Sequence, residues 1–329
     1  MPSLLLRGPQ TTVAITPAVL LAPMEGVTDR AFRGEVARLG GIGAAVGEFI
    51  RISSSPAALR VCRRDLGTPI GIPVALQLMT PDSEHLAASV VHATNAKAAW
   101  IDLNFGCPAA VVFNKCAGSA LLAHPERIAA IVRTAAGATG LPVTAKLRAG
   151  IASPAHLREL VIACAESGAA AVTLHARLRI HGYHEPATWS WLVEAADALR
   201  HCSRPVPLIG NGGVDTAEHI ARMRSETGVT AVMVGRAALA DPFLFRVAAG
   251  GPPASAAEAA AWAVGYLRAL GRGGPKAKML VRWYRAGGLF ADREELRWTL
   301  LRGPEADILA WFAAQVSPDT VSPQLAARA

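Results

Sequence analysis

The chain has 329 residues, 52% of them hydrophobic and 18% charged, a composition that excludes a largely disordered protein and allows a sizeable core. Its formal net charge of +8 favours a polyanionic partner such as nucleic acid, without identifying one. Five cysteines without a CxxC pair predict free thiols, and no apolar run is long enough for a membrane span, so we expect a cytoplasmic protein.

Residues 1–17 form an extension ahead of the first strand-like segment. They contain a short apolar run, but neither a lysine-rich start nor a small-residue cleavage signal. We therefore predict a loose N-terminal extension and not a signal peptide.

Eight short apolar segments follow between residues 18 and 250, separated by helical stretches such as Pro125–Thr139. The segments are Val19–Ala22, Ala44–Ile50, Pro73–Met79, Ala99–Asn104, Val143–Leu147, Ala171–His175, Val206–Gly210 and Ala231–Gly235. Nearly continuous apolar runs are typical of parallel strands that are covered on both faces. Eight strand–helix units predict an α/β fold of the (β/α)8 TIM-barrel type. A doubly wound sheet is the competing fold, but the first segment ends in APMEGVTD and not in a dinucleotide fingerprint.

The pattern changes at about residue 250, after which no strand-like run occurs. A linker and several helical segments predict a small helical domain over 251–318 and a polar tail over 319–329. Six basic and no acidic residues lie between Trp262 and Phe290, together with Trp283 and Tyr284. Such a mixture suits a phosphate backbone. The alternative is a solvated helix face with Trp283 in the core.

In a barrel, the residues that follow the carboxyl ends of the strands form the active site. Mostly polar and glycine residues occupy these positions, with Pro23 and Met24 as the apolar exceptions. The full set is Pro23, Met24, Glu25, Gln77, Asn104, Cys107, Lys146, Arg148, His175, Arg177, Asn211, Gly212, Gly213, Gly235 and Arg236. Glycines after the last two strands predict a phosphate site, although tight corners alone would also explain them. The HxxH spacing of His181 and His184 has no third ligand, so no metal is predicted.

Cys107 lies on a turn directly after a strand, within DLNFGCP. It could be a structural thiol, a nucleophile or a proton donor. A thiol with an ordinary pKa near 8.5 is mostly protonated at neutral pH and can act as a general acid. Cys116, in the loop that follows, is expected to be a packing residue.

Seven segments resemble blocks of the tRNA-dihydrouridine synthases, in the same order, from about Val19 to Phe245. They are LAPMEGVTDRAFR, QLMTPD, IDLNFGCPAAVVFNKCAGSALL, PVTAKLRAG, VTLHAR, PLIGNGGV and AVMVGRAAL. Two further segments, GEFIRISSSP and KAKMLVRWYRAGG, resemble the bacterial subfamily that acts on D-loop position 16. The chain departs from the family where AAVV follows Cys107 and where His184 replaces a usual arginine.

The resemblance implies bound FMN, NADPH as the reductant and tRNA as the substrate, and we expect a monomer. The implied flavin contacts are Pro23, Met24, Glu25, Gln77, Lys146 and His175. The implied phosphate contacts are Asn211, Gly212, Gly213, Gly235 and Arg236. The expected substrate contacts are Asn104, Arg177, Lys278 and Arg282. Hydride would pass from the flavin N5 to C6 of uracil, and Cys107 would protonate C5.

Two alternatives remain at this stage. One is an FMN-dependent barrel reductase of a small molecule, such as a pyrimidine or an enone. The other is an RNA-binding barrel without catalysis.

Overall fold

The computed structural model describes residues 2–182, 184–271 and 274–316. Its strands are β1 (Leu4–Arg7), β2 (Thr12–Ile15), β3 (Val19–Leu21), β4 (Ala44–Arg51), β5 (Val74–Met79), β6 (Trp100–Phe105), β7 (Val143–Gly150), β8 (Ala171–Leu178), β9 (Leu208–Asn211) and β10 (Ala231–Val234). The helices up to residue 250 are α1 (Arg30–Arg38), α2 (Leu59–Leu66), α3 (Leu86–Asn95), α4 (Ala110–Phe113), α5 (Pro125–Gly137), α6 (Leu157–Glu166), α7 (Ser190–His201), α8 (Ala217–Thr227), α9 (Arg236–Ala240) and α10 (Leu244–Ala248). Four more follow: α11 (Ala256–Leu270), α12 (Gly274–Trp283), α13 (Glu294–Arg302) and α14 (Glu305–Ala314).

Strands β3 to β10 pair in chain order, all parallel, and β10 pairs back onto β3 to close a barrel. The predicted (β/α)8 barrel is therefore confirmed. Two strands run further than their apolar segments, since β7 reaches Gly150 and β8 reaches Leu178. Lys146, Arg148 and His175 belong to these strands although they are polar. Their backbones pair between β7 and β8, and backbone pairing does not depend on the polarity of the side chain.

The N-terminal extension is not loose, which corrects the prediction. Strands β1 and β2 form an antiparallel hairpin in which Leu4, Leu6 and Ile15 are buried. These side chains share a core cluster with residues at the amino ends of barrel strands, such as Trp100. The alternation of buried and exposed positions in LLLR is that of a half-buried strand, so the hairpin covers the end of the barrel opposite the predicted site.

The C-terminal helices pack against the outside of the barrel. Helix α11 begins with a capping box between Ser255 and Glu258, and its Trp262 Nε1 donates to the Glu35 carbonyl of α1 at 3.1 Å. Lys276 of α12 pairs with Asp29, which caps α1. These contacts place α12 beside the carboxyl ends of the barrel strands. The domain division at residue 251 stays a proposal.

Two neighbouring aromatic residues of the basic stretch, Trp283 and Tyr284, have opposite environments. Tyr284 is buried and its hydroxyl donates to the Ala259 carbonyl at 2.8 Å, whereas 42% of Trp283 is exposed. The core alternative is thus wrong for Trp283. Arg272, one of the six basic residues, lies outside the described residues, as does 317–329.

No helix in the described part of the chain is both long and apolar enough to cross a membrane.

Candidate active site

Two adjoining cavities open at the carboxyl ends of the barrel strands. The larger has a volume of about 640 Å³ and the smaller about 80 Å³. Both are lined by the same five residues, Pro23, Met24, Lys146, His175 and Arg236. The larger cavity extends to Cys107 on one side and to α12 on the other, and the smaller reaches the glycine turn after β9.

Inside the barrel, a chain of hydrogen bonds leads from β6 across β5 to the Cys107 turn. Gln77 Nε2 donates to Asp102 Oδ2 at 2.6 Å, and Asn104 Nδ2 donates to Gln77 Oε1 at 2.8 Å. Asn104 Oδ1 accepts from the amides of Gly106 at 3.0 Å and Cys107 at 2.9 Å. Each amide side chain is therefore oriented by the next one, and the chain ends on the backbone that carries Cys107.

Asp102 anchors this chain and was not singled out from the sequence. It is 1% exposed, and Thr144 Oγ1 donates to its second oxygen. Burial raises the pKa of Asp102 to about 6, against the lowering effects of the Thr144 and Gln77 hydrogen bonds and of Lys146. The carboxylate fixes the direction of the chain because, once ionised, it can only accept. The available signal was a carboxylate inside an otherwise apolar strand.

Asn104 lines the larger cavity, and its side chain also shapes the turn. By accepting two consecutive amide hydrogens it forms an Asx-type turn, which holds Gly106 and Cys107 in place. A direct contact between Asn104 and uracil stays a prediction.

Cys107 is half-buried and lines the larger cavity. Burial raises the pKa of its thiol above the ordinary value, and Glu25 adds to the effect, whereas Arg51 and Arg148 oppose it. The thiol is therefore protonated at neutral pH, as a general acid must be.

Arg148 supports the Cys107 turn from the other side. It is 1% exposed, and its Nε donates to the Gly106 carbonyl at 3.0 Å. Its Nη1 donates to the carbonyls of Leu178 at 3.0 Å and Gly182 at 3.1 Å. Arg148 thus ties the loop after β6 to the end of β8, a role that depends on the tertiary structure.

Lys146 projects from β7 into both cavities. Its Nζ donates to Asn211 Oδ1 at 3.3 Å, and Asn211 Nδ2 donates to the Met233 carbonyl at 2.8 Å. Burial, followed by the charge of Arg148, lowers the pKa of Lys146 to about 8, although Asp102 raises it. An anionic ligand in these cavities would favour the protonated lysine.

His175 is a neutral imidazole at this site. Arg177 Nη1 donates to His175 Nε2 at 3.1 Å, and a guanidinium can only donate, so the ring hydrogen lies on Nδ1. Burial, followed by the charge of Lys146, lowers the pKa of His175 well below its ordinary value. Arg177 itself is buried, and its Nε donates to the Glu185 carbonyl at 2.7 Å. Arg177 also lines the smaller cavity, and its contact with substrate stays a prediction.

The glycine turn after β9 has backbone angles that only glycine adopts readily. Gly212 has φ +102° and Gly213 has φ +72°. A Cβ at Gly212 would lie 2.7 Å from His175 Cδ2, and one at Gly213 would lie 3.1 Å from Trp189 Nε1. Side chains are thereby kept off the wall of the smaller cavity, where the backbone can approach a ligand. Arg236, which is exposed, adds a positive charge there.

Of the other residues predicted from the sequence, some line the two cavities and some lie outside them. Glu25 lines the larger cavity and Gly235 the smaller one. Gln77 is fully buried between Asp102 and Asn104, so its assignment as a flavin contact stays a prediction. Lys278 and Arg282 line a separate groove on α12, which we call the α12 groove. It is formed by Pro275, Lys278, Met279, Arg282, Trp283 and Glu305.

Within the residues that the structure describes, no group of three or more histidine, cysteine or acidic side chains could hold a metal ion.

Comparison with known proteins gives consistent matches. The family model described as dihydrouridine synthase matches residues 20–271. The chain is 41% identical over 235 residues to the tRNA-dihydrouridine(16) synthase of Ralstonia nicotianae, a match that covers 69% of this chain and 71% of that protein. It is 40% identical over 236 residues to the protein of the same name from Cupriavidus necator, with the same coverage. The corresponding protein of Pseudomonas putida is 37% identical over 235 residues, again covering 69% and 71%.

Proposed function

The chain belongs to the dihydrouridine synthase family, and from that premise we propose that it reduces uridine 16 in the D-loop of tRNA to dihydrouridine, with bound FMN and with NADPH as the reductant. Family membership makes it an oxidoreductase that acts on uridine in tRNA. The structural observation that carries the proposal is the convergence of Cys107, Lys146, His175 and the Gly212–Gly213 turn on two adjoining cavities.

The residues around the cavities fit FMN. Arg236 and Lys146 supply positive charge, and the turn at Gly212 offers a backbone surface without side chains. We therefore assign the FMN phosphate to the smaller cavity, near this turn and Arg236. The larger cavity, at about 640 Å³, lies within the size range of small-molecule sites. Pro23, Met24, Lys146 and His175 would line the flavin where the two cavities meet.

Reduction of uracil at C5–C6 needs a hydride and a proton. The hydride for C6 comes from reduced FMN when this cofactor is bound. Cys107 donates the proton to C5, since its thiol is kept neutral by burial and its turn is held by Asn104 and Arg148. Lys146 stabilises negative charge that develops on the uracil carbonyl oxygens. Solvent returns a proton to the Cys107 thiolate after each cycle.

The C-terminal helices favour tRNA over a small pyrimidine as the substrate. Lys278 and Arg282 are four residues apart on α12, so they share a face of the helix beside the larger cavity. A free pyrimidine base has no phosphate that these cations could bind, whereas a tRNA backbone has one at each nucleotide. We propose that the helical domain over 251–318 binds tRNA and that affinity falls with salt. A monomeric state and a cytoplasmic location are also proposals.

The function is tested with purified protein, FMN, NADPH and an unmodified tRNA transcript. We expect dihydrouridine at position 16, detected by mass spectrometry of nuclease fragments, and no product when uridine 16 is replaced by cytidine. Flavin-loaded protein that forms no dihydrouridine in any tRNA would overturn the proposed activity. Product at another uridine would overturn the position alone.

A further inference from the structure

Trp283 is an exposed aromatic residue at the mouth of the larger cavity. It is 42% exposed and lines both the larger cavity and the α12 groove. Of the seven tryptophans in the chain, all of them in the described residues, only Trp283 and Trp298 are exposed. An exposed indole at this position offers a large, rigid apolar face on which a planar ligand can stack.

Helix α12 packs against the core through residues other than Trp283. Helix α12 buries Ala277, Leu280 and Val281 against the core, and Tyr284, directly after it, is buried too. Met279 and Trp283 are four residues apart and both line the cavity, so they form an apolar stripe along another face. The core of the helical domain would be complete without the indole.

A basic stripe runs beside the apolar one. Lys278 and Arg282 are also four residues apart, and both line the α12 groove together with Trp283. On the cavity side, Ile180 is 59% exposed and lines the mouth with Trp283. A flat apolar surface next to cations matches the two halves of a nucleotide, a planar base and a phosphate.

We propose that Trp283 stacks on the base of a nucleotide next to the target uridine, while Lys278 and Arg282 hold phosphates of the same strand. This inference rests on the proposed function. A uridine can enter the cavity only by leaving its stack, which exposes a face of a neighbouring base. Trp283 lies at the mouth through which the uridine enters, and its indole replaces the lost stacking partner. Trp283 is therefore a positioning residue for the tRNA.

The first test compares Trp283→Ala and Trp283→Phe with the wild-type enzyme, and Trp298→Ala is the matched control. Loss of one base–aromatic stack should weaken tRNA binding by about 5- to 150-fold in Trp283→Ala. The phenylalanine variant should keep most of the affinity, because it still offers an aromatic face. Trp298, on α13, is even more exposed (54%) but lines neither the larger cavity nor the α12 groove, so its removal should leave the dissociation constant unchanged. Equal losses for both tryptophans would overturn the proposal.

The second test separates tRNA from NADPH, which also carries planar rings. Reduction of the flavin by NADPH is followed in the absence of tRNA, by the loss of flavin absorbance. The rate for Trp283→Ala should equal that of the wild type. A slower rate together with unchanged tRNA affinity would assign Trp283 to the nicotinamide nucleotide and refute the stacking on tRNA.

The third test identifies the stacked base. Two transcripts are made that lack the base on the 5′ or the 3′ side of the target uridine. With one of them, wild-type and Trp283→Ala enzymes should bind equally, because the partner of the indole is absent. If Trp283→Ala binds both of these transcripts more weakly than the wild type does, by the same factor as it binds intact tRNA, the proposal is overturned. If the wild-type enzyme forms no dihydrouridine in unmodified tRNA, the proposed function has failed. This outcome differs from a failure of the stacking proposal, in which the wild type is active but tRNA binding does not depend on Trp283 as expected.

Discussion

The pKa of Lys146 predicts how FMN affinity depends on pH. Without a ligand, burial and Arg148 lower this pKa to about 8, so the side chain loses its proton in mildly alkaline solution. An anionic ligand favours the protonated form and raises the pKa. Binding above pH 8 must then include protonation of the lysine, and the affinity for FMN must fall as the pH rises.

The size of the effect follows from the two pKa values. If the complex restores the ordinary pKa of about 10.5, the dissociation constant should increase about tenfold per pH unit above pH 8. Between pH 7 and pH 9.5 the total increase is about 30-fold. The FMN phosphate does not interfere, because its second ionisation, near pH 6, is complete at pH 7.

The assay is titration of the apoprotein with FMN, followed by quenching of flavin fluorescence, at half-unit steps from pH 7 to pH 9.5. Lys146→Met should bind FMN more weakly at pH 7 and show no dependence on pH over this range. Lys115→Met, which removes an exposed lysine outside both cavities, should keep the wild-type slope. A flat wild-type profile, or an equal slope in Lys146→Met, would refute the reasoning.

Three further predictions concern the Cys107 turn, the buried carboxylate of Asp102 and the glycine turn after β9. Cys107→Ala should retain FMN but lower the single-turnover rate with tRNA by about 10² to 10⁴, and a rate close to wild type would exclude its acid role. Burial raises the pKa of Asp102 from 3.8 to about 6, so the folded state binds this proton more tightly than the unfolded chain. The free energy of unfolding of the wild type should therefore fall by about 2 kcal/mol relative to Asp102→Asn between pH 4 and pH 7, as measured by urea denaturation, and a constant difference would contradict this. Gly212→Ala should weaken FMN binding about tenfold or more, because of its φ of +102° and its clash with His175. Gly137→Ala is the control, since Gly137 ends α5 outside both cavities and its added Cβ would meet no neighbouring atom within 4 Å, so this variant should bind FMN normally. Equal affinities of the two variants would exclude a steric role for Gly212.

Much of the barrel could be predicted because strand formation depends on local pattern. Each of the eight apolar segments overlaps a barrel strand, and Pro125 begins α5 as its restricted φ predicts. The boundaries of β7 and β8 were harder to predict, because Lys146 and His175 resemble strand ends in sequence while their backbones continue the ladder. The N-terminal hairpin was not predicted, because its apolar side chains pack against the amino ends of barrel strands that lie far from it in the sequence.

By itself, the sequence determined the order of the strands, the positions of the glycines after β9 and β10, and the presence of Cys107 after β6, since each depends on neighbours within a few residues. The tertiary structure alone decided that Asp102 orients Gln77 and Asn104, that Arg148 braces the Cys107 turn, and that Trp283 faces the cavity while Tyr284 is buried. The physical reason is that these contacts join residues far apart in the chain. Their geometry follows from the register of neighbouring strands and the closure of the barrel, which local periodicity does not encode.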